Sequence, residues 1–220
     1  MANRKKRRGP GERAGLDPDQ VLEAARAVSL REGAANLSLR GVARELGVAP
    51  NAVYSYFPDK PALLAALLDG LLAEVEVAEP QRIDWREGLR DILRQTRRLL
   101  LSHQDLIPLF LSRPGRGPHA LRLGESMLAL LERGGVSGRR AVDALRILLT
   151  YTLGFAALEA PRRADPEGEA RVTASEAVFR AARDQPRLRE LRRELARHPD
   201  DRTFETGLGW LLAGMASPKK

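Results

Sequence analysis

Apolar residues recur at three- and four-residue spacing along nearly the whole chain, and this periodicity restricts it to helices. Residues 84–103 show the pattern well. Trp85, Leu89, Ile92, Thr96, Leu99 and His103 share one stripe, with Arg86, Arg90, Arg94 and Arg97 largely opposite. β-branched and aromatic residues alternate over no useful length, so strands are not expected. Other helices are expected over 17–32, 38–47, 50–57, 60–77, 119–133, 137–159, 171–183, 187–197 and 201–215. A short apolar segment, 106–111, leads into a Pro/Gly-rich loop at 114–118, and 161–169 reads as a second loop. Beyond Ala144 the 137–159 helix is apolar on nearly every side, which predicts burial against both its own domain and a second chain. The expected fold is all-α.

The chemistry available is narrow. With no cysteine in 220 residues, disulfides, thiolate zinc sites and cysteine nucleophiles are excluded. His103, His119 and His198 lack the close helical spacing of a metal-binding pair. No phosphate-binding G-x-x-x-x-G-K run occurs, and no carboxylate pair stands apart from solvated helix faces. Neither an enzyme nor a metal or cofactor is expected. The longest apolar run, 147–158, is interrupted by Thr and Gly and reads as too short for a bilayer. The basic N-terminus has no apolar segment behind it, unlike a secretory signal. A soluble cytoplasmic protein with no membrane partner is expected.

Charge is distributed unevenly. The net charge is +8, and residues 1–15 hold six basic side chains (Arg4, Lys5, Lys6, Arg7, Arg8, Arg13) against Glu12. Such a tail cannot bury apolar surface and is expected to be disordered. It fits either an arm that exchanges counterions for phosphates or a solvated tail that aids solubility.

The segment SLRGVARELGVAPNAVYSYFPDK, residues 38–60, is the most specific. Two short helices meet at Leu46-Gly47-Val48, where glycine can take the left-handed conformation of a tight turn. Ser38 and Asp59 suit helix N-caps, and Pro50 suits a first helical turn. Ala43 is small where the helices must approach, and Val48 and Val53 can fill the space between them. This fits a helix-turn-helix whose second helix enters the major groove, or an ordinary corner between two packed helices.

Residues 17–77 resemble the DNA-binding domain of the tetracycline-repressor (TetR) family of bacterial transcription regulators. The resemblance rests on Leu39-x-x-Val42-Ala43-x-x-Leu46-Gly47-Val48, Val53-Tyr54-Ser55-Tyr56-Phe57-Pro58-Asp59-Lys60 and Leu63-Leu64. Beyond the basic tail (1–15), it implies a three-helix DNA-binding unit (16–60), a connecting helix (61–77) and a larger helical ligand-binding and dimerisation domain (78–220). Asn51, Ala52, Ser55 and Tyr56 are expected to project from the recognition helix, which starts at Pro50, toward base edges. Asn suits adenine, and an Ala methyl suits thymine. Arg40 matches a family position that reaches a base, and Ser38, Tyr54 and Lys60 match the family's phosphate contacts. Phe57 is expected in the core.

The resemblance continues through Leu100-Leu101-Ser102-His103-x-Asp105, Thr152-Leu153-Gly154 and Phe204-x-x-Gly207-Leu208. It implies a homodimer joined through helices 137–159 and 201–215, an inverted-repeat operator in double-stranded DNA, and release by a small-molecule effector. Gly207 and Gly214 point to close helix contact, between or within chains. Tetracycline repressors hold a drug–magnesium complex through a histidine, and Phe110 stands at that position here. A mostly apolar or aromatic ligand is therefore expected. Thr96, His103, Phe110, Arg113 and Tyr151 are candidate ligand contacts, being polar or aromatic on otherwise apolar faces. A competing expectation is a non-specific DNA-associating or helical adaptor protein driven by the tail.

Overall fold

The structure, a computed structural model, describes residues 15–112, 115, 117–164, 185–191 and 200–215. Among them every regular element is helical. The helices are α1 (Pro18–Glu32), α2 (Leu39–Glu45), α3 (Pro50–Tyr54), α4 (Lys60–Leu72), α5 (Trp85–Ser102), α6 (Ile107–Ser112), α7 (Pro118–Arg133), α8 (Gly138–Ala164), α9 (Pro186–Glu190) and α10 (Asp201–Met215). Short 3-10 turns, Pro80–Arg82 and Gln104–Leu106, precede α5 and α6. The basic tail, Arg113, and the helices expected over 171–183 and most of 187–197 lie outside the described residues.

Local chemistry sets the helix starts. Asp17 and Gln20 form a reciprocal capping box on α1. The Ser38 hydroxyl accepts the Gly41 N–H of α2 at 3.1 Å, and the Asp59 carboxylate accepts the Ala62 N–H of α4 at 2.7 Å. Gly47, in the turn between α2 and α3, has φ +67°, a value that strains any side-chain-bearing residue.

Several boundaries depart from the expectations. Helix α3 stops at Tyr54, and Tyr56 and Phe57 turn back to the Val53 carbonyl as the chain approaches Pro58. Helix α4 ends at Leu72, and tighter turns carry the chain through Val75 to Glu76, which Gln95 of α5 holds. The Gln95 side chain accepts the Glu76 N–H at 2.8 Å and donates to the Glu76 carbonyl at 3.0 Å. The 106–111 segment contributes helix α6. Helix α8 runs through Pro161 to Ala164, so 161–164 is helical where a loop was expected. The loss of one amide donor near a helix end does not stop it. The stretch Gly138–Pro161 is consequently long and apolar enough to cross a membrane by length and composition, which corrects the shorter run read from sequence. Its inner face, with Ala144, Leu148, Thr152 and Ala156, is buried within this chain.

Two hydrophobic cores meet along α4. The smaller holds Val21, Ala25 and Val28 of α1, Leu39 and Val42 of α2, Val53, Phe57, and Leu63, Leu64 and Leu67 of α4. The larger holds Leu68, Leu71 and Leu72 of α4 with Leu89, Ile92, Leu93 and Leu100 of α5, Leu130 and Leu131 of α7, Leu148 of α8 and Phe204 and Leu208 of α10.

Arg97 departs from the solvated stripe expected of it. It is 5% exposed and lies where α5, α8 and α10 converge. Its guanidinium donates to Glu159 at 2.9 Å and to Asp201 at 2.7 Å, and stands 4.7 Å above the Phe204 ring. Burial lowers its pKa, and the two carboxylates more than offset that. Beside it, the Tyr151 ring stacks on Phe204 at 5.4 Å and its hydroxyl donates to the Phe204 carbonyl at 2.9 Å.

Gly207 makes its close contact within the chain, because a Cβ there would strike the Tyr151 hydroxyl. No described atom comes near a Cβ at Gly214. Gly207→Ala should therefore destabilise the fold by about 1–3 kcal/mol in denaturant unfolding. The cost should shrink in a Tyr151→Phe background, since the struck oxygen is then gone; equal costs in both backgrounds would refute this packing.

Candidate nucleic-acid interface

The end of the smaller core formed by α2 and α3 carries most of the expected DNA contacts. Arg40, Asn51, Tyr54 and Ser55 are exposed on it, as are Ser38 and Pro50 at the helix starts. Arg40 and Arg44 of α2 make no ion pair among the described residues. The nearby acid Glu45 is already engaged: Arg31 binds it at 2.8 Å and holds its carboxyl below the usual range. Free cations and an occupied carboxylate suit an approaching phosphate backbone.

Three residues have more specific placements. Ala52 is 5% exposed, next to the fully buried Val53, and thus faces the interior. This corrects its expected place at the groove surface, since a buried methyl cannot meet a base. Tyr56 is half-buried, and its hydroxyl donates to the Leu16 carbonyl oxygen, tying the start of the described chain to the end of the recognition helix. Its ring is a packing element, with only an edge left for DNA. The Lys60 ammonium donates to the Ala35 carbonyl at 2.6 Å, at the first turn of α4. Phe57 is buried in the core as expected.

The candidate ligand contacts scatter. Thr96 is buried, its hydroxyl donating to the Ile92 carbonyl at 2.8 Å. Phe110 is buried in the larger core. Tyr151 sits in the aromatic stack beside Arg97, where burial raises its pKa. His103 is buried at the C-terminal cap of α5. A cleft of about 680 Å³ between α5 and α10 is lined by Asp91, Arg94, Arg97, Arg98, Leu101, Ser102, Asp201 and Glu205, and by none of the four described candidates. Its chemistry is largely spent internally, because Arg94 forks onto Glu205 at 2.6 and 2.7 Å.

His103 belongs to a polar seam between the two cores. The Asp105 carboxylate accepts the Ala34 N–H at 2.9 Å and the Ser29 hydroxyl at 3.5 Å, both at the end of α1. Arg26 of α1 pairs with Glu74, beyond α4, at 2.6 Å. Sequence reading missed this seam, since its members are 48 to 76 residues apart. Burial pushes the His103 pKa down, the Arg26 charge adds to that, and Glu74 and Asp105 oppose it.

Two sequence-family models match the chain. One, described as "Bacterial regulatory proteins, tetR family", covers residues 21–67, and the other, "Tetracyclin repressor-like, C-terminal domain", covers residues 78–218. The class A tetracycline repressor protein of Escherichia coli transposon 1721 is 32% identical over 91% of both chains. The transcriptional repressor DrrR1 of Streptomyces coeruleorubidus is 34% identical over 70% of this chain, which spans 56% of that protein's length. Among solved structures, ActR of Streptomyces coelicolor in complex with actinorhodin superposes with a TM-score of 0.81 at 29% identity, over 91% of this chain and 96% of that one.

The seam generates a pH prediction. The fold favours neutral His103, so its stabilising contribution is present above the ordinary histidine value of about 6.5. It is lost as the pH falls through the lower folded value. Unfolding midpoints should therefore drop on acidification from pH 7.5 to 5, and His103→Gln should flatten the profile. Parallel profiles for the two proteins would show that His103 carries none of the dependence.

Proposed function

This chain belongs to the TetR family of bacterial transcription regulators, and from that premise we propose that it works as a homodimeric repressor. In this reading it acts in the cytoplasm, on an inverted-repeat operator, and a small organic ligand releases it. The exposed α2–α3 end, with two unpaired arginines beside Asn51, is the observation that carries the proposal. Residues 16–60 form the reading head, 61–77 connect it, and 78–220 hold the effector and the dimer contact. Arg40 and Asn51 read bases, with Ser55 and the free edge of Tyr56 beside them. Ser38, Pro50, Tyr54 and Lys60 border the phosphates, which set register rather than sequence.

Dimerisation through α8 and α10 is supported by what these helices leave uncovered. Trp210 is 76% exposed, and Ile147 and Leu158 on α8 are also exposed. Large apolar groups at this density mark a contact surface, and a second copy covers them without a membrane. A twofold dimer places its two recognition helices one DNA turn apart, about 34–36 Å. The effector is read as mostly apolar or aromatic, because Phe110 stands where tetracycline repressors bind magnesium. ActR, whose structure holds actinorhodin, offers a precedent for a bound ligand. No metal or cofactor and no catalytic step enter this reading.

Residues 16–60 carry five basic and six acidic side chains, so long-range attraction to DNA falls to the tail. Its six basic residues precede Leu16 in the sequence, and Tyr56 holds Leu16 at the end of the recognition helix.

Selection from a fragmented pool of the source genome should enrich an inverted repeat at physiological salt. Arg40→Ala with Asn51→Ala, both at exposed positions, should abolish the enrichment and cost about 1–3 kcal/mol per lost base contact. A helical adaptor would bind no duplex in either form. Deleting residues 2–13 should weaken all sequences alike and lower the salt slope by about 0.9 per lost phosphate contact. A loss confined to the operator would contradict that role for the tail.

A further inference from the structure

Helix α7 begins without a cap of its own. Gly117 offers no side chain, and Pro118 at the first position has no N–H. The next two amides, of His119 and Ala120, are taken by the Asp69 carboxylate of α4, at 3.2 and 2.9 Å. Asp69 is 6% exposed, and a Cβ at Gly117 would strike it, so the glycine is what lets the carboxylate reach the helix end. One turn later the exchange runs the other way. Arg122 of α7 donates to the Leu72 and Val75 carbonyls at the end of α4, at 3.3 and 3.0 Å. An anion thus sits at the positive end of one helix and a cation at the negative end of the other, and each is supplied by the opposite partner.

From this reciprocal arrangement we propose that Asp69 and Arg122 are positioning residues that couple the effector domain to the reading head. The reasoning rests on the repressor reading above. Helix α4 carries the head on its first half, through Leu63, Leu64 and Leu67. Its far end is held by the first turn of α7, which begins five residues after α6, the helix that contains Phe110. A displacement of the first turn of α7 is passed to α4 by the clasp. A cap is directional and breaks over small displacements, so it suits a two-position latch better than apolar contact does.

Coupling is reciprocal, so DNA bound at the head must alter the clasp. The test is hydrogen exchange on the full chain with and without the selected operator duplex. Duplex should slow exchange over 50–56 and change it several-fold over 117–123. Asp69→Ala and Arg122→Ala should keep the first response and lose the second. Asp69→Asn, which retains an acceptor oxygen, should keep part of it and stands in if Asp69→Ala does not fold. An undiminished response at 117–123 in these variants would overturn the proposal and leave the clasp a stabilising contact alone. So would protection at 50–56 with no change at 117–123 in the unaltered chain. If 50–56 gains no protection, the DNA-reading premise itself fails, and the coupling with it.

Discussion

The thirteen residues of α4 belong to two hydrophobic cores at once, and the rest of the architecture depends on that sharing. Leu63, Leu64 and Leu67 close the core of the small N-terminal unit, while Leu68, Leu71 and Leu72 enter that of the larger helical assembly. Each buried leucine contributes about 1.5–3 kcal/mol relative to exposure, so neither core releases the helix readily. A close-packed interior does not deform continuously, and a shift of α4 therefore carries α1–α3 as a body. The small N-terminal unit therefore cannot change its position without moving a helix that the larger core grips.

Charged groups gather where the pieces meet, Asp69, Arg97 and Glu159 among them buried. Asp105, with its contacts to Ala34 and Ser29, joins the turn after α5 to the end of α1, and Arg26–Glu74 closes the same seam. Asp69 and Arg122 bind α4 to α7. Arg97 binds α5 to α8 and α10 through Glu159 and Asp201. Apolar contacts hold within a range of small displacements, whereas these charge-assisted bonds need particular distances and angles. The apolar cores thus supply adhesion, and these ion contacts set the register of one helix bundle on another.

The outer faces of α8 and α10 contrast with this interior. Their inner sides supply Leu148, Phe204 and Leu208 to the core, while Ile147, Leu158 and Trp210 stay exposed. A helix apolar all round needs cover on both sides, and the described residues cover only one of them. The same helix pair therefore links the ion cluster at Arg97 to the surface where a second copy would sit.

Much of this was legible in the chain itself, because its determinants are local. The 3.6-residue periodicity specified helices throughout, Ser38 and Asp59 marked two helix starts, and Gly47 marked the turn between α2 and α3. The spacing of small and apolar residues over 38–60 also marked the packed pair α2–α3, since those residues meet their partners within a few turns. Tertiary structure decided the rest. Arg97 looked solvated by the stripe count, although Leu93 and Leu101, four residues to either side, lie on the buried face with it. Its carboxylate partners lie 62 and 104 residues away, beyond the reach of any local pattern. Ala52 and Asn51 are adjacent on one short helix, and only packing put the first inside and left the second exposed. The cap on α7 comes from a lone acid on the apolar helix α4, some fifty residues earlier. Periodicity and capping are near-neighbour effects that a sequence displays directly, whereas a buried charge is decided by which distant partner reaches it when the helices pack.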